Sequence, residues 1–131
     1  MAAGLVGAPA VLYHLLSRYP MDAWSVASVV LFVPALVLWT AAHLRLGGSF
    51  AVRAEAHELV TGGVYKRLRH PIYVSGMLMI LSIMICARKL QWLPLWGAFA
   101  VLQVARARKE ERVLEATFGQ SYRDYKSKTW F

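Results

Sequence analysis

Residues 24–46 read WSVASVVLFVPALVLWTAAHLRL, and no charge interrupts them before Arg45. A run of this length matches the roughly 20 apolar residues that carry a helix across a bilayer, with a range of about 17–25. Three more runs follow the same pattern at or just below the short end of that range. Residues 1–17 are uncharged and end at Arg18. Residues 71–87 are uncharged and meet Arg88 and Lys89. Residues 90–105 are uncharged and meet Arg106. Flanking Arg and Lys can extend such runs by reaching with their charged heads toward the interface. The pattern predicts an all-α integral membrane bundle in one domain, residues 1–131, with four membrane helices over about 2–17, 24–46, 71–88 and 90–117. The first run lacks the positively charged start of a cleavable signal peptide, so it is read as a helix.

Composition agrees with this and excludes the main soluble alternatives. The chain is 58% hydrophobic and carries a net charge of +8, whereas soluble domains are about 45–50% apolar by a comparable count. A soluble nucleic-acid binder would account for the charge and not for the apolar content. A disordered basic tail would need low hydrophobicity. No nucleic-acid partner is therefore expected.

The basic residues are divided unevenly. Arg45 and the 47–70 loop, with the 106–131 tail, hold twelve of the fifteen Lys and Arg, and Arg18, Arg88 and Lys89 hold the other three. Membrane proteins keep positive charge on the cytoplasmic side, so the loop and the tail are expected there. Trp24, Trp92 and Trp96 then begin helices two and four at the opposite face, where an aromatic belt forms. Pro34 interrupts helix two, and Pro94 lies near the start of helix four. Pro71 stands where helix three begins, a position at which a missing N–H costs nothing.

Polar chemistry is concentrated in two stretches, His57–Tyr73 and Arg106–Tyr125, each abutting a membrane helix. The apolar runs carry no acidic residue, which weakens a proton-coupled transporter. His14 and His43 read as structural or interfacial, and the lone Cys86 as packing. In the first stretch His70 precedes a helix start, which suits an anionic group. Tyr65 and Tyr73 offer aromatic faces to a cation. In the second, Arg106 and Glu110 share a helix face, Gly119 is placed to end the helix, and Tyr122 and Tyr125 with three basic residues read as an interfacial end.

The two stretches carry a resemblance. Leu59-Val60-Thr61-Gly62-Gly63-Val64-Tyr65 followed by Arg69-His70-Pro71-Ile72-Tyr73 resembles the core motif of isoprenylcysteine carboxyl methyltransferases and related membrane methyltransferases. Arg106 through Glu110-Glu111, then Phe118-Gly119 and Tyr122-x-x-Tyr125, is similar to their C-terminal motif. The likeness covers roughly residues 45–128. It implies S-adenosylmethionine as cofactor, in a cytoplasmic pocket without a Rossmann domain, and this chain has no GxGxxG motif. It further implies cofactor contacts at His57, Glu58, Leu59, Val60, Tyr65, His70, Pro71, Ile72, Tyr73 and Glu110. Arg106 falls at the position that faces the methyl-accepting carboxylate, a catalytic and substrate-binding role. No metal is implied.

The acceptor is expected to be lipophilic, a small molecule or a prenylated chain, entering from membrane lipid. An isoprenylcysteine-like carboxylate leads, with a phospholipid amine or a small amine or thiol as alternatives. The family's eukaryotic carboxyl methyltransferases have extra N-terminal helices, for which this chain has no room. A four-helix transporter subunit or membrane scaffold fits the length and topology but leaves the two polar motifs unexplained. A basic anchor for anionic lipids uses the same charges.

Overall fold

The computed structural model describes residues 2–46, 59 and 61–131, and it is all-helical. Helix α1 spans Ala2–Arg18, α2 Ala23–Leu46, α3 Pro71–Cys86, α4 Leu93–Phe118 and α5 Gln120–Ser127. Short 3-10 turns cover Gly63–Lys66 and Leu90–Trp92. Among the described residues one helix, α2, is long and apolar enough to cross a membrane. Its 24 residues rise about 36 Å at ~1.5 Å each. Helix α3, with 16 residues, rises about 24 Å, less than the ~30 Å hydrocarbon thickness.

Helices α2 and α3 form the tightest pair. The buried line on α2 is Ser25, Ser28, Phe32, Ala35, Ala42, His43 and Leu46. On α3 it is Pro71, Ser75, Met79, Ser82 and Cys86. The α3 line recurs at three- and four-residue steps, and the α2 line does so apart from a two-turn gap before Ala42 and the adjacent His43, one face of a helix in each case. Small residues dominate them, which lets the two backbones approach closely. The serine hydroxyls do not go unsatisfied: Ser28 donates to the Ser25 carbonyl, Ser75 to Pro71 and Ser82 to Met79, each at 2.7 Å. Leu12 of α1 completes a core cluster with Phe32, Ala35, Met79 and Cys86. His43 is buried against Trp39. Its Nδ1 lies 3.0 Å from the Trp39 carbonyl oxygen and its ring lies on the Trp39 ring.

Helix α3 stops at Cys86, two residues before the end expected from its apolar run. The Arg88 N–H bonds to the Ile85 carbonyl at 3.1 Å and the Lys89 N–H to Met84 at 3.0 Å. That pair of bonds is the Schellman closure, which needs a left-handed residue after the helix. Arg88 supplies it with φ +53°. The conformation is costly for a residue with a Cβ. Partners fix this side chain: its guanidinium ion-pairs with Asp22 and lies 4.9 Å from the centre of the Tyr19 ring. Asp22 also accepts the Ser25 N–H at 3.1 Å, which caps α2. One residue thus joins the α1–α2 and α3–α4 turns.

Helix α4 changes character along its length. Its first half is apolar and touches α3 near its start, where Trp96 Nε1 donates to the Met77 carbonyl at 3.1 Å. Beyond that, α4 leaves a groove of about 480 Å³ against α3, walled by Ile80, Met84, Trp96, Phe99 and Leu102 among others. The second half is charged and buries Ala107, Glu111 and Leu114. At Gly119, φ +53° and ψ −121°, the backbone takes a conformation open mainly to glycine and redirects the chain into α5.

Candidate functional site

The site forms where the start of α3, the charged half of α4 and α5 meet. Pro71 at the first turn sets the backbone of α3, and His70 is its N-cap without a side-chain capping bond. The His70 ring is 1% exposed and faces α4. Its Nε2 donates to Glu111 Oε1 at 3.2 Å, and its Nδ1 lies 3.9 Å from Glu110 Oε2. Two consecutive carboxylates on α4 therefore flank one imidazole at a helix N-terminus, where negative charge is favoured.

The two glutamates differ in surroundings. Glu111 is 8% exposed. Arg69 Nε donates to its Oε1 at 2.8 Å, and Lys126 Nζ of α5 pairs with its Oε2 at 3.0 Å. Burial alone would raise its carboxyl. The Lys126 hydrogen bond, the Arg69 charge and the His70 hydrogen bond outweigh that and hold it below its ordinary value. Glu110 takes a hydrogen bond from the Tyr73 hydroxyl on one oxygen. Its other oxygen, Oε2, is buried and has no hydrogen-bond partner among the described residues. A buried acceptor left unmade is expensive. An acceptor in that state is suited to a ligand that brings an ammonium or hydroxyl donor.

The tail closes the site from below. Trp130 N–H donates to the Arg67 carbonyl at 2.7 Å, and Leu68 pairs with Trp130 in a single parallel bridge. Tyr125 donates its hydroxyl to the Tyr65 carbonyl at 2.7 Å. The Phe131 ring lies 5.4 Å from that of His70.

Of the residues singled out by sequence, His70, Tyr73 and Glu110 are in mutual contact. Pro71 and Ile72 form the first turn of α3 beside them, and Ile72 packs on the Ala42–Leu46–Tyr65 cluster. The Tyr65 ring is 1% exposed and sits in that cluster, while its carbonyl serves the tail. Leu59 is half-buried. His57, Glu58 and Val60 lie outside the described residues. Arg106 stands one turn before Glu110 and is exposed. No Arg106–Glu110 ion pair forms among the described residues; Arg106 instead lines a second hollow of about 380 Å³ with Phe99, Leu102, Gln103 and Lys109. The two hollows share Phe99 and Leu102 and so adjoin along α4.

Lys126 and the Arg69–Glu111 pair hold the site together, yet the sequence motifs do not single them out for that role. A basic residue in a basic tail gives no local sign of its partner. The one available signal is Glu111 standing next to Glu110.

No solved structure matches the chain. A curated relative, the protein-S-isoprenylcysteine O-methyltransferase of Dictyostelium discoideum, is 31% identical over 84 residues, 60% of this chain and 33% of that protein. The chain thus spans about a third of the length of that relative. The family model for phospholipid methyltransferases matches residues 22–121, which include α2, the α3 N-terminus with His70 and Tyr73, and the Glu110-Glu111 pair. With most of its length matched, the chain belongs to the phospholipid methyltransferase family.

Proposed function

We propose that this protein is an integral membrane methyltransferase that transfers a methyl group from S-adenosylmethionine to a lipophilic acceptor, with an isoprenylcysteine-like carboxylate as the main reading. The observation that carries the proposal is the buried Oε2 of Glu110, without a hydrogen-bond partner among the described residues, beside His70 and Tyr73 in a chain of this family.

The residues present fit the cofactor. It carries an ammonium and ribose hydroxyls, all donors, and Glu110 Oε2 is a buried acceptor in need of one. It also carries a carboxylate, and the N-terminus of α3 favours an anion. Glu110, His70, Pro71, Ile72 and Tyr73 would hold it, with His57, Glu58, Leu59 and Val60 completing the pocket, while the Tyr65 ring stays in the Ala42–Leu46 cluster behind it. When bound it supplies a methyl group on a sulfonium.

The chain's own part is then mainly alignment. Tyr73 fixes the Glu110 carboxylate through its hydroxyl. Arg106 supplies a positive charge in the hollow that adjoins the groove and orients an anionic head. The groove between α3 and α4 receives the lipid tail and keeps water from it. A carboxylate acceptor already carries its nucleophilic lone pair, so no base is required. Holding two reactants in line can contribute about 7–11 kcal/mol in favourable cases.

The proposed arrangement is a single domain of four membrane helices, with the 47–70 loop and the 106–131 tail cytoplasmic and the cofactor entering from that side. The twelve-to-three division of basic residues supports it. A phospholipid amine is the second acceptor reading, favoured by the family match itself.

The test uses purified protein in detergent. S-adenosylhomocysteine should bind, and Glu110→Ala should weaken it. Labelled cofactor offered with a prenylcysteine analogue, phosphatidylethanolamine and small thiols should label the prenylcysteine carboxylate. Absence of binding to well-folded protein overturns the proposal, and label on the phospholipid replaces the main acceptor by the second.

A further inference from the structure

Glu111 is held from three directions. Arg69 reaches it from the segment before α3, His70 from the N-cap of α3, and Lys126 from α5. Arg69 also donates Nη1 to the carbonyls of Lys126 and Thr129, at 3.2 Å each. The tail residue Lys126 therefore gives Glu111 a side-chain donor and Arg69 a backbone acceptor. A carboxylate only accepts hydrogen bonds, so the His70 nitrogen facing it, Nε2, carries a proton. With Nε2 committed to Glu111, the ring directs Nδ1 toward Glu110 Oε2. The orientation of His70 is thus set by how Glu111 is held.

We propose that Lys126 is a positioning residue of the site: through Glu111 it fixes the ring plane and the protonated nitrogen of His70, and α5 is thereby part of the binding machinery. Its consequence for cofactor affinity rests on the methyl-transfer reading, whereas its consequence for the His70 ring stands on the contacts alone. The alternative is an ordinary ion pair. Lys126 is 42% exposed on its side chain, and exposed pairs are typically worth about 0.2–1 kcal/mol with no effect on a neighbouring ring.

The experiment uses the full chain in detergent with ¹⁵N-labelled histidine, the His70 resonances being assigned by their loss in His70→Asn. In the native protein Nε2 should read as the proton-bearing nitrogen. In Lys126→Met that signature should give way to a mixture of tautomers, and Lys126→Arg should restore it. S-adenosylhomocysteine affinity, measured by calorimetry, should fall about fivefold or more in Lys126→Met, a loss near 1 kcal/mol, and return to within about twofold in Lys126→Arg. An unchanged His70 spectrum in helical, folded Lys126→Met overturns the proposal, as does a fall in thermal stability with ring and affinity untouched. Should Lys126→Met lose its helical signal, Lys126→Gln takes its place, with the same spectrum and affinity expected and the same results overturning the proposal. If the native protein binds no S-adenosylhomocysteine, the methyl-transfer reading falls, and the His70 spectrum still decides the role of Lys126.

Discussion

Arg69 Nε donates to Glu111 Oε1 at 2.8 Å, joining residues 42 positions apart in a setting where both side chains are largely buried. Breaking a pair of this kind is costly because the remaining charge stays out of water. Glu111→Gln should destabilise the protein by about 1.5–3 kcal/mol, the range for hydrogen bonds to charged groups. Thermal melting in detergent measures it, and an unchanged melting temperature would place the pair among surface ion pairs of little consequence.

The same carboxylate gives the pH dependence a sign. Glu111 is held below its ordinary value of 4.5, so the unfolded chain takes up its proton first as pH falls. Its contribution to stability is fully present above about pH 4.5 and is lost progressively as pH drops through the lowered folded value. Glu111→Gln should flatten that acid limb relative to the native protein. Identical acid limbs in the two proteins would assign the loss to other groups.

Tyr73 tests the second glutamate separately. Its hydroxyl donates to Glu110, whose other oxygen is the acceptor proposed for the cofactor. Tyr73→Phe keeps the ring and removes that anchor. S-adenosylhomocysteine affinity should fall about tenfold, or ~1.4 kcal/mol, with little change in melting temperature. A variant that melts earlier yet binds equally well would make Tyr73 a packing residue.

Arg106 separates acceptor from cofactor. It lines the hollow on α4 and makes no ion pair with Glu110 among the described residues. Arg106→Ala should lower turnover about a hundredfold, or ~2.7 kcal/mol of transition-state stabilisation, while S-adenosylhomocysteine affinity stays within about twofold. Equal loss of both would move the residue into the cofactor pocket.

What could be seen in the sequence follows from the range of the interactions. The α2 run is legible because a membrane helix needs only its own residues to be apolar. Glu110 is legible because its motif is local to α4, one turn from Arg106. The Arg69–Glu111–Lys126 cluster is not, since its members come from three elements whose approach is set by packing of α4 against α3 and by the turn at Gly119. Tyr65 shows the same limit in another form. Its aromatic character suggested a cation-facing ring, and only the fold shows that ring inside the Ala42–Leu46 cluster with its carbonyl taken by Tyr125.

Arg88 is the clearest case of a residue whose position defies local rules and is explained by its partners. Glycine is the usual occupant of the left-handed position that closes a Schellman motif, and the sequence around 86–89 offers none. Arg88 holds φ +53° there, a conformation that costs an L-residue roughly 1–2 kcal/mol. Its ion pair with Asp22 and its place over Tyr19 tie that turn to the cap of α2. Two substitutions separate the terms. Arg88→Ala keeps the strain and loses the partners, so it should lower the melting temperature clearly. Arg88→Gly loses the same partners but relieves the strain, so it should be more stable than the alanine variant by about 1 kcal/mol. Asp22→Asn, which keeps an oxygen for the Ser25 N–H, should resemble the native protein more closely than Asp22→Ala does. If the glycine and alanine variants melt together, the left-handed backbone at residue 88 carries no strain.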